Sequence, residues 1–351
     1  MPHPLLLAAL LAAAGPPPLP EVPARAETAP ATTSKGDRAD DPAIWRDPQD
    51  PAKSLILSTD KKAGIAIHDL AGRLLAFQPL GDLNNVDLRT GVTIAGEKAT
   101  LVAASDRSDH ERPRLRLFRL DAQAPRLVEI GSVDPPAGEA YGLCLHRRAG
   151  GIDAFMIYEE GVVEQIALDL SGAAPAGRIV RRHDLGSRAE GCVADDRTGI
   201  LYVAEDKVAI WRIDTDPGRA MAPRRFAAVD GVRLHDDVEG LAVLPRGKDG
   251  GLLFAASQDD DSFAVFHLPG GAYAGGFRIR GGAIDGTEGT DGIALDARDF
   301  GEAWPGGLFA AQDGKNRDVG ADGKEERAPQ NFKLVPLRDI LQALGDGANR
   351  N

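Results

Sequence analysis

Cysteine, aromatic residues and positive charge are all in short supply in this chain. Of 351 residues only Cys144 and Cys192 are cysteine, and aromatics make up 5%. Two thiols without CxxC or HxxxH spacing cannot complete a zinc tetrahedron. Neither fits the phosphate loop of a cysteine phosphatase: Arg197 follows Cys192 one residue too soon, and Gly150 stands where Cys144 would need an arginine. The histidines form no HExxH or Ser-His-Asp arrangement, and none is given a catalytic role. Lys and Arg total 41 against 53 Asp and Glu, a formal charge of −12. Such a chain is a poor general binder of nucleic acid or anionic membrane, where affinity comes from neutralising phosphates with cations. Long apolar runs are missing too. Leu5 to Ala14 is uninterrupted but too short to cross a bilayer.

That run instead suits the apolar region of a secretory leader, with Ala24-Arg25-Ala26 before Glu27 as a small-x-small cleavage site. The expected division is a signal peptide over 1–26, an N-terminal extension over 27–38, the main domain over 39–345 and a tail over 346–351. Export would place the protein outside the cytoplasm, secreted or periplasmic. One cysteine pair is then a candidate for one disulfide.

What the chain does have is glycine, proline and repetition, with 41 Gly and 24 Pro. A polar or acidic residue, usually followed by Gly and then alternating apolar positions, begins at Asp41, Asn85, Tyr141, Glu190, Glu239 and Asp291. The starts are 44, 56, 49, 49 and 52 residues apart. After each comes an apolar segment ending in polar residues, as in Leu55–Asp60, Leu101–Asp106, Leu201–Asp206 and Leu308–Asp313. Six units of roughly fifty residues, each with about four strands, predict an all-β six-bladed β-propeller. A β-sandwich would need no such period. Asn331–Val335 is expected to form a closing strand, Asp339–Leu344 a short terminal helix, and Trp45, Trp211 and Trp304 to serve packing.

In a blade the first strand is innermost and the second runs antiparallel to it, so the start of one and the end of the other share a face. Asp41, Tyr141, Glu190, Glu239 and Asp291 therefore meet Lys61, Asp106, Arg107, Glu160, Asp206, Asp259 and Asp313 at one rim, with Asp237 and Asp285 beside them. So many carboxylates repel one another unless cations intervene. Hard oxygen donors in that number suit several Ca²⁺ ions better than zinc. The bland alternative, turn carboxylates bonding loop amides, accounts for one or two of them. Lys61, Lys62 and Arg107 add fixed positive charge and make phosphate the obvious ligand.

At these residues the chain resembles the β-propeller phytases. The likeness runs in order through Asp40-Asp41-Pro42-Ala43-Ile44-Trp45, Asp60-Lys61-Lys62-Ala63-Gly64, Ser105-Asp106-Arg107, Glu190-Gly191-Cys192, Asp237-Val238-Glu239-Gly240, Asp285-Gly286-Thr287-Glu288-Gly289-Thr290-Asp291-Gly292 and Gln330-Asn331-Phe332-Lys333. It implies a calcium-dependent phosphomonoesterase that removes phosphate from myo-inositol hexakisphosphate (phytate) by direct attack of a calcium-activated water. It also implies calcium ligands at Asp41, Tyr141, Glu160, Glu190, Asp206, Asp237, Glu239 and Asp291, with Asp285 and Asp313 as further ones. Lys61 and Arg107, with Lys62 nearby, would contact phosphate, and Glu190, Tyr141, Lys61 and Arg107 would carry the reaction. Two positions depart from the family. Glu159 replaces a lysine, which implies a weaker second phosphate subsite, and Asp206 replaces a glutamate.

A monomer acting on a small molecule is expected. A metal-dependent sugar lactonase on a six-bladed propeller is the enzyme alternative, but one axial ion needs no crowded rim and no cationic cradle. A non-catalytic, calcium-stabilised binding propeller is the other, and few aromatics are available to build its platforms.

Overall fold

The computed structural model describes residues 18–31, 36–135, 138–319 and 325–346. Six sheets form the expected blades. Blade 1 comprises Ala39–Trp45, Leu55–Asp60, Gly64–Asp69 and Leu74–Pro79. Blade 2 comprises Leu83–Ile94, Glu97–Asp106, Arg114–Asp121 and Arg126–Val133. Blade 3 comprises Ala140–Arg148, Gly151–Tyr158, Val162–Asp169 and Ala176–Asp184. Blade 4 comprises Ala189–Asp195, Ile200–Glu205, Ala209–Asp214 and Arg224–Ala228. Blade 5 comprises Val238–Arg246, Gly250–Ser257, Ser262–Leu268 and Ala272–Ile279. Blade 6 is built from Ile293–Asp296, Leu308–Asp313 and Asn331–Pro336, and a helix, Leu337–Ala343, follows it.

The chain's beginning completes the last two blades. Glu21–Val22 pairs in parallel with the outer strand of blade 5, and Ala26–Glu27 pairs antiparallel with Asn331–Pro336. Val22 is buried against Phe254, Phe277 and Ile279. These short strands, Glu21–Val22 and Ala26–Glu27, lie where a leader over 1–26 and an extension over 27–38 were expected. Cleavage after Ala26 would strip one sheet edge and uncover an apolar residue.

Each blade presents apolar faces to both neighbours, and six apolar clusters fill the spaces between successive blades. Trp45 and Trp304 pack as expected, while half-buried Trp211 donates its indole N–H to Glu205 Oε2 at 2.7 Å. Trp304 is buried with its indole N–H donating to the Leu70 carbonyl at 3.1 Å, and that of Trp45 donates to Thr100 Oγ1 at 3.1 Å. Cys144 and Cys192 form a disulfide between the innermost strands of blades 3 and 4.

One local device recurs around the axis. The pairing of first and second strands slips at Asp40-Asp41, Asn84-Asn85, Tyr141-Gly142, Glu190-Gly191 and Glu239-Gly240. A bulge adds residues to one strand and re-aims their side chains. Here it turns the polar residue opening each repeat toward the rim. The glycine has its own reason: a Cβ on Gly142 would lie 1.9 Å from the Glu190 carbonyl oxygen, and one on Gly191 1.9 Å from that of Glu239. Adjacent blades touch backbone to backbone at these points. Hydroxyls complete the ring: Thr59 accepts from Asp41 N–H at 3.0 Å and donates to the Asn84 carbonyl at 2.6 Å. Ser105 does the same between Asn85 and Tyr141.

Candidate functional site at the acidic rim

Glu190 and Glu239 lie at the bulges of the inner strands of blades 4 and 5, and Asp291 lies just before the inner strand of blade 6, at the same end of the axis. Glu190 and Glu239 are 7% and 4% exposed. Burial, then Asp40 and Asp291, push the Glu190 carboxyl well above its ordinary range. Burial, then Glu190 and Asp291, do the same to Glu239. Burial raises Asp291 to about 7 against the opposing pull of Lys61. Asp206 rises to about 6 through burial, with Arg188 opposing and Asp237 adding repulsion. These groups act on one another electrostatically, as expected of one site.

Fixed cations are few. Lys61 Nζ lies 2.7 Å from Asp37, 2.9 Å from Asp40 and 3.2 Å from Asp291. Arg107 stacks on Tyr141, its guanidinium carbon 5.1 Å from the ring centroid, and reaches Glu139 at 3.4 Å. Lys62 is exposed beside them. Amides fix the carboxylates: Asn84 Nδ2 donates to Glu190 Oε1 at 2.6 Å, and Gln258 Nε2 to Asp291 Oδ1 at 2.5 Å.

The residues expected at the rim do not all meet there. Asp285 and Asp313 belong to a separate knot around Lys333, whose side chain is fully buried. Its ammonium binds Asp285, Glu27 at 2.6 Å, Asn316 at 2.8 Å and Asp313 at 3.3 Å. One ammonium faces three carboxylates there, Glu27, Asp285 and Asp313, so this knot too carries surplus negative charge. Asp106 is a turn carboxylate paired with Arg114 at 3.0 Å, the bland alternative realised. Asp41 accepts from Val86 N–H at 3.0 Å and faces the axial channel. Glu160 stands exposed in the turn after Tyr158. Asp237 sits beside Lys207 at 3.8 Å, with a left-handed φ of 54°.

Sequence reasoning missed Asp40, Arg188, Asn84 and Gln258. The Asp40-Asp41 doublet was the available signal for the first. At the bulge the two side chains part, Asp40 facing Lys61 and Asp41 the channel. That channel, of about 430 Å³, runs from Asp41 along the inner strands. Arg89, paired with Asp87 and Asp196 at 2.9 Å each, lies along it.

Among the described residues no three His, Cys, Asp or Glu side chains form a ready-made metal cage. The donor set nevertheless fits hard divalent cations. Neither oxygen of buried Asp206 receives a hydrogen bond, nor does Asp40 Oδ2. Six carboxylates, Asp40, Glu190, Asp206, Asp237, Glu239 and Asp291, face four cations, Lys61, Arg107, Arg188 and, more exposed, Lys207. Buried oxygen donors with surplus negative charge match Ca²⁺ and not a nitrogen- or sulfur-seeking metal.

The family model for phytase matches residues 17–350. A 3-phytase of Bacillus subtilis (strain 168) is 37% identical over 337 residues, covering 93% of this chain and 86% of that protein. Fold and similarity together define a propeller of the phosphoric monoester hydrolase class. The chain belongs to the β-propeller phytase family.

Proposed function

We propose that the chain hydrolyses phytate to lower inositol phosphates and phosphate at the acidic rim, with several Ca²⁺ ions bound there. The observation that carries this is the convergence of mutually repelling, buried Glu190, Glu239 and Asp291 with Lys61 and Arg107. Glu190, Asp206, Asp237, Glu239 and Asp291, with Asp40 and Tyr141, would hold calcium, and Asp285 and Asp313 would add ligands beside Lys333. Bound Ca²⁺ would neutralise phosphoryl oxygens and lower the cost of making hydroxide from water.

The chain's own groups supply the rest. Lys61 and Arg107 offer N–H donors and fixed charge to the non-bridging oxygens, on which charge develops in the transition state. The bulges hold Glu190 and Tyr141 at the mouth, and Asn84 fixes the orientation of the Glu190 carboxylate. Burial keeps these interactions in a low-dielectric setting, where each is stronger than in water.

The disulfide supports life in an oxidising compartment, secreted or periplasmic. We infer a monomer working on a diffusible substrate, possessed of no attraction for nucleic acid or membrane. Purified protein is incubated with phytate, with millimolar-range calcium and after chelation. Phosphate release is expected only with calcium, and Glu190→Gln is expected to abolish it. Calcium-independent release, or full turnover by Glu190→Gln or Arg107→Ala, would overturn the reading. Lactone hydrolysis in place of phosphate release would favour the lactonase alternative.

A further inference from the structure

We propose that Arg188 is a substrate-phosphate-binding residue, the partner of Arg107 across Tyr141, supplying the second-phosphate contact that Glu159 cannot make. This rests on the phytase reading and deepens it.

The first observation is the geometry around Tyr141. The Arg107 guanidinium carbon lies 5.1 Å from its ring centroid and that of Arg188 5.2 Å. One phenol ring therefore carries two guanidiniums, and its hydroxyl is 3.4 Å from Arg188 Nη2. The second observation is reach. Arg188 stands two residues before Glu190, and its side chain is 47% exposed against 13% for Arg107. Its other side-chain contact among the described residues is an ion pair, Nε to Asp206 at 3.3 Å. A guanidinium has five N–H donors in a fixed fork. Two long contacts leave donors pointing at solvent over the rim, the arrangement that binds phosphate in a bidentate manner.

The third observation is charge. Glu159 N–H donates to the Glu139 carbonyl at 3.1 Å, so two acidic residues stand together there. That side of the rim is hostile to a phosphate unless a cation overrides it. Arg188 interacts electrostatically with Tyr141, Asp206, Glu239 and Glu190, all of which hold its charge in place. A mere counter-ion would serve these carboxylates from a buried position, as Lys333 serves its own. Arg188 is instead half in solvent.

The test is Arg188→Ala and Arg188→Lys in the full chain with calcium, each checked by thermal unfolding. The substrates are phytate and para-nitrophenyl phosphate, which offers one phosphate. The ratio of their kcat/KM values is expected to fall roughly tenfold or more in Arg188→Ala, the scale of one lost charge-assisted hydrogen bond. The loss should sit in the phytate KM, with Arg188→Lys intermediate and Glu159→Lys in the Arg188→Ala background recovering much of it. A ratio within twofold of the parent, or equal losses on both substrates, would overturn the assignment and leave Arg188 a counter-ion. Calorimetric binding of myo-inositol hexasulfate to parent and Arg188→Lys reads the same contact without turnover, should Arg188→Ala not fold. A parent that releases no phosphate from phytate defeats the phytase reading; hexasulfate binding unchanged in Arg188→Lys defeats this one.

Discussion

Gly191→Ala tests whether the acid-glycine repeat is a device for bringing blades into backbone contact. A Cβ there would lie 1.9 Å from the Glu239 carbonyl oxygen, 2.6 Å from its carbon and 3.2 Å from Gly240 N. Relief requires the inner strand of blade 5 to move by more than an ångström, and backbone cannot rotate away as a side chain can. Overpacking in a well-packed interior costs about 1–3 kcal/mol when side chains absorb it. Strain borne by backbone belongs at or above the upper end of that range. At about 2–4 °C per kcal/mol for large domains, Tm should drop by roughly 5–10 °C. The displaced carbonyl belongs to Glu239 and the substituted residue follows Glu190, so phosphate release should fall with stability. Gly150→Ala is the control: its φ is 83°, but nothing lies within 4 Å of the added Cβ. It should cost only the left-handed strain, about 1 kcal/mol, and leave turnover intact. The measurements are differential scanning calorimetry and phosphate release on both variants. Equal, small Tm shifts for the two would refute the reasoning.

Two further outcomes are expected. In chelator, stability should fall as pH rises from about 4 to about 7: carboxyls such as Asp206, raised to about 6, and Asp291, raised to about 7, hold protons in the folded state that the unfolded chain has lost. Calcium should reverse this slope by binding the deprotonated form, and a chelated Tm that climbs over that interval would contradict the repulsion described. At the amino end, a chain starting at Glu27 should melt several degrees lower than one that keeps Glu21–Val22, because the Val22 contact and its strand are gone. N-terminal sequencing that finds Glu27 as the first residue of a fully stable protein would refute the assignment of 21–27 to the fold.

Much of the architecture is legible in the sequence because its two repeated patterns are local. Acid, glycine and alternating apolar residues mark the bulged first strand, and an apolar run ending in Ser, Thr or Asp marks the second. What stayed hidden depends on distant partners. The leader-like residues before Glu27 find their use only against strands 257 and 308 residues later, Glu21 opposite Arg278 and Ala26 opposite Leu334. Asp285 and Asp313 look like any other rim acid until Lys333 arrives from the next strand. Asp40 and Asp41 cannot be told apart without knowing where the bulge falls. Arg188 carries no motif, and only its position over Tyr141 distinguishes it from the arginine pairs on outer turns.

The site's chemistry also explains where the scaffold is reinforced. Crowding Glu190, Glu239 and Asp291 together works against folding, since the blades could relieve their repulsion by moving apart at the rim. Each restraint described above opposes that motion. The glycine contacts lock neighbouring inner strands, the Thr59 and Ser105 hydroxyls bridge blades 1 to 2 and 2 to 3, and Gly292 N–H donates to the Asp40 carbonyl at 2.8 Å to join blade 6 to blade 1. The disulfide belongs to the same series. Cys144 follows Tyr141 by three residues and Cys192 follows Glu190 by two, so the covalent link lies directly beneath two of the residues assigned to the reaction. A rim held this rigidly keeps its carboxylates close whatever their charge, so at a pH where they give up their protons a bound cation lowers their energy without opening the ring.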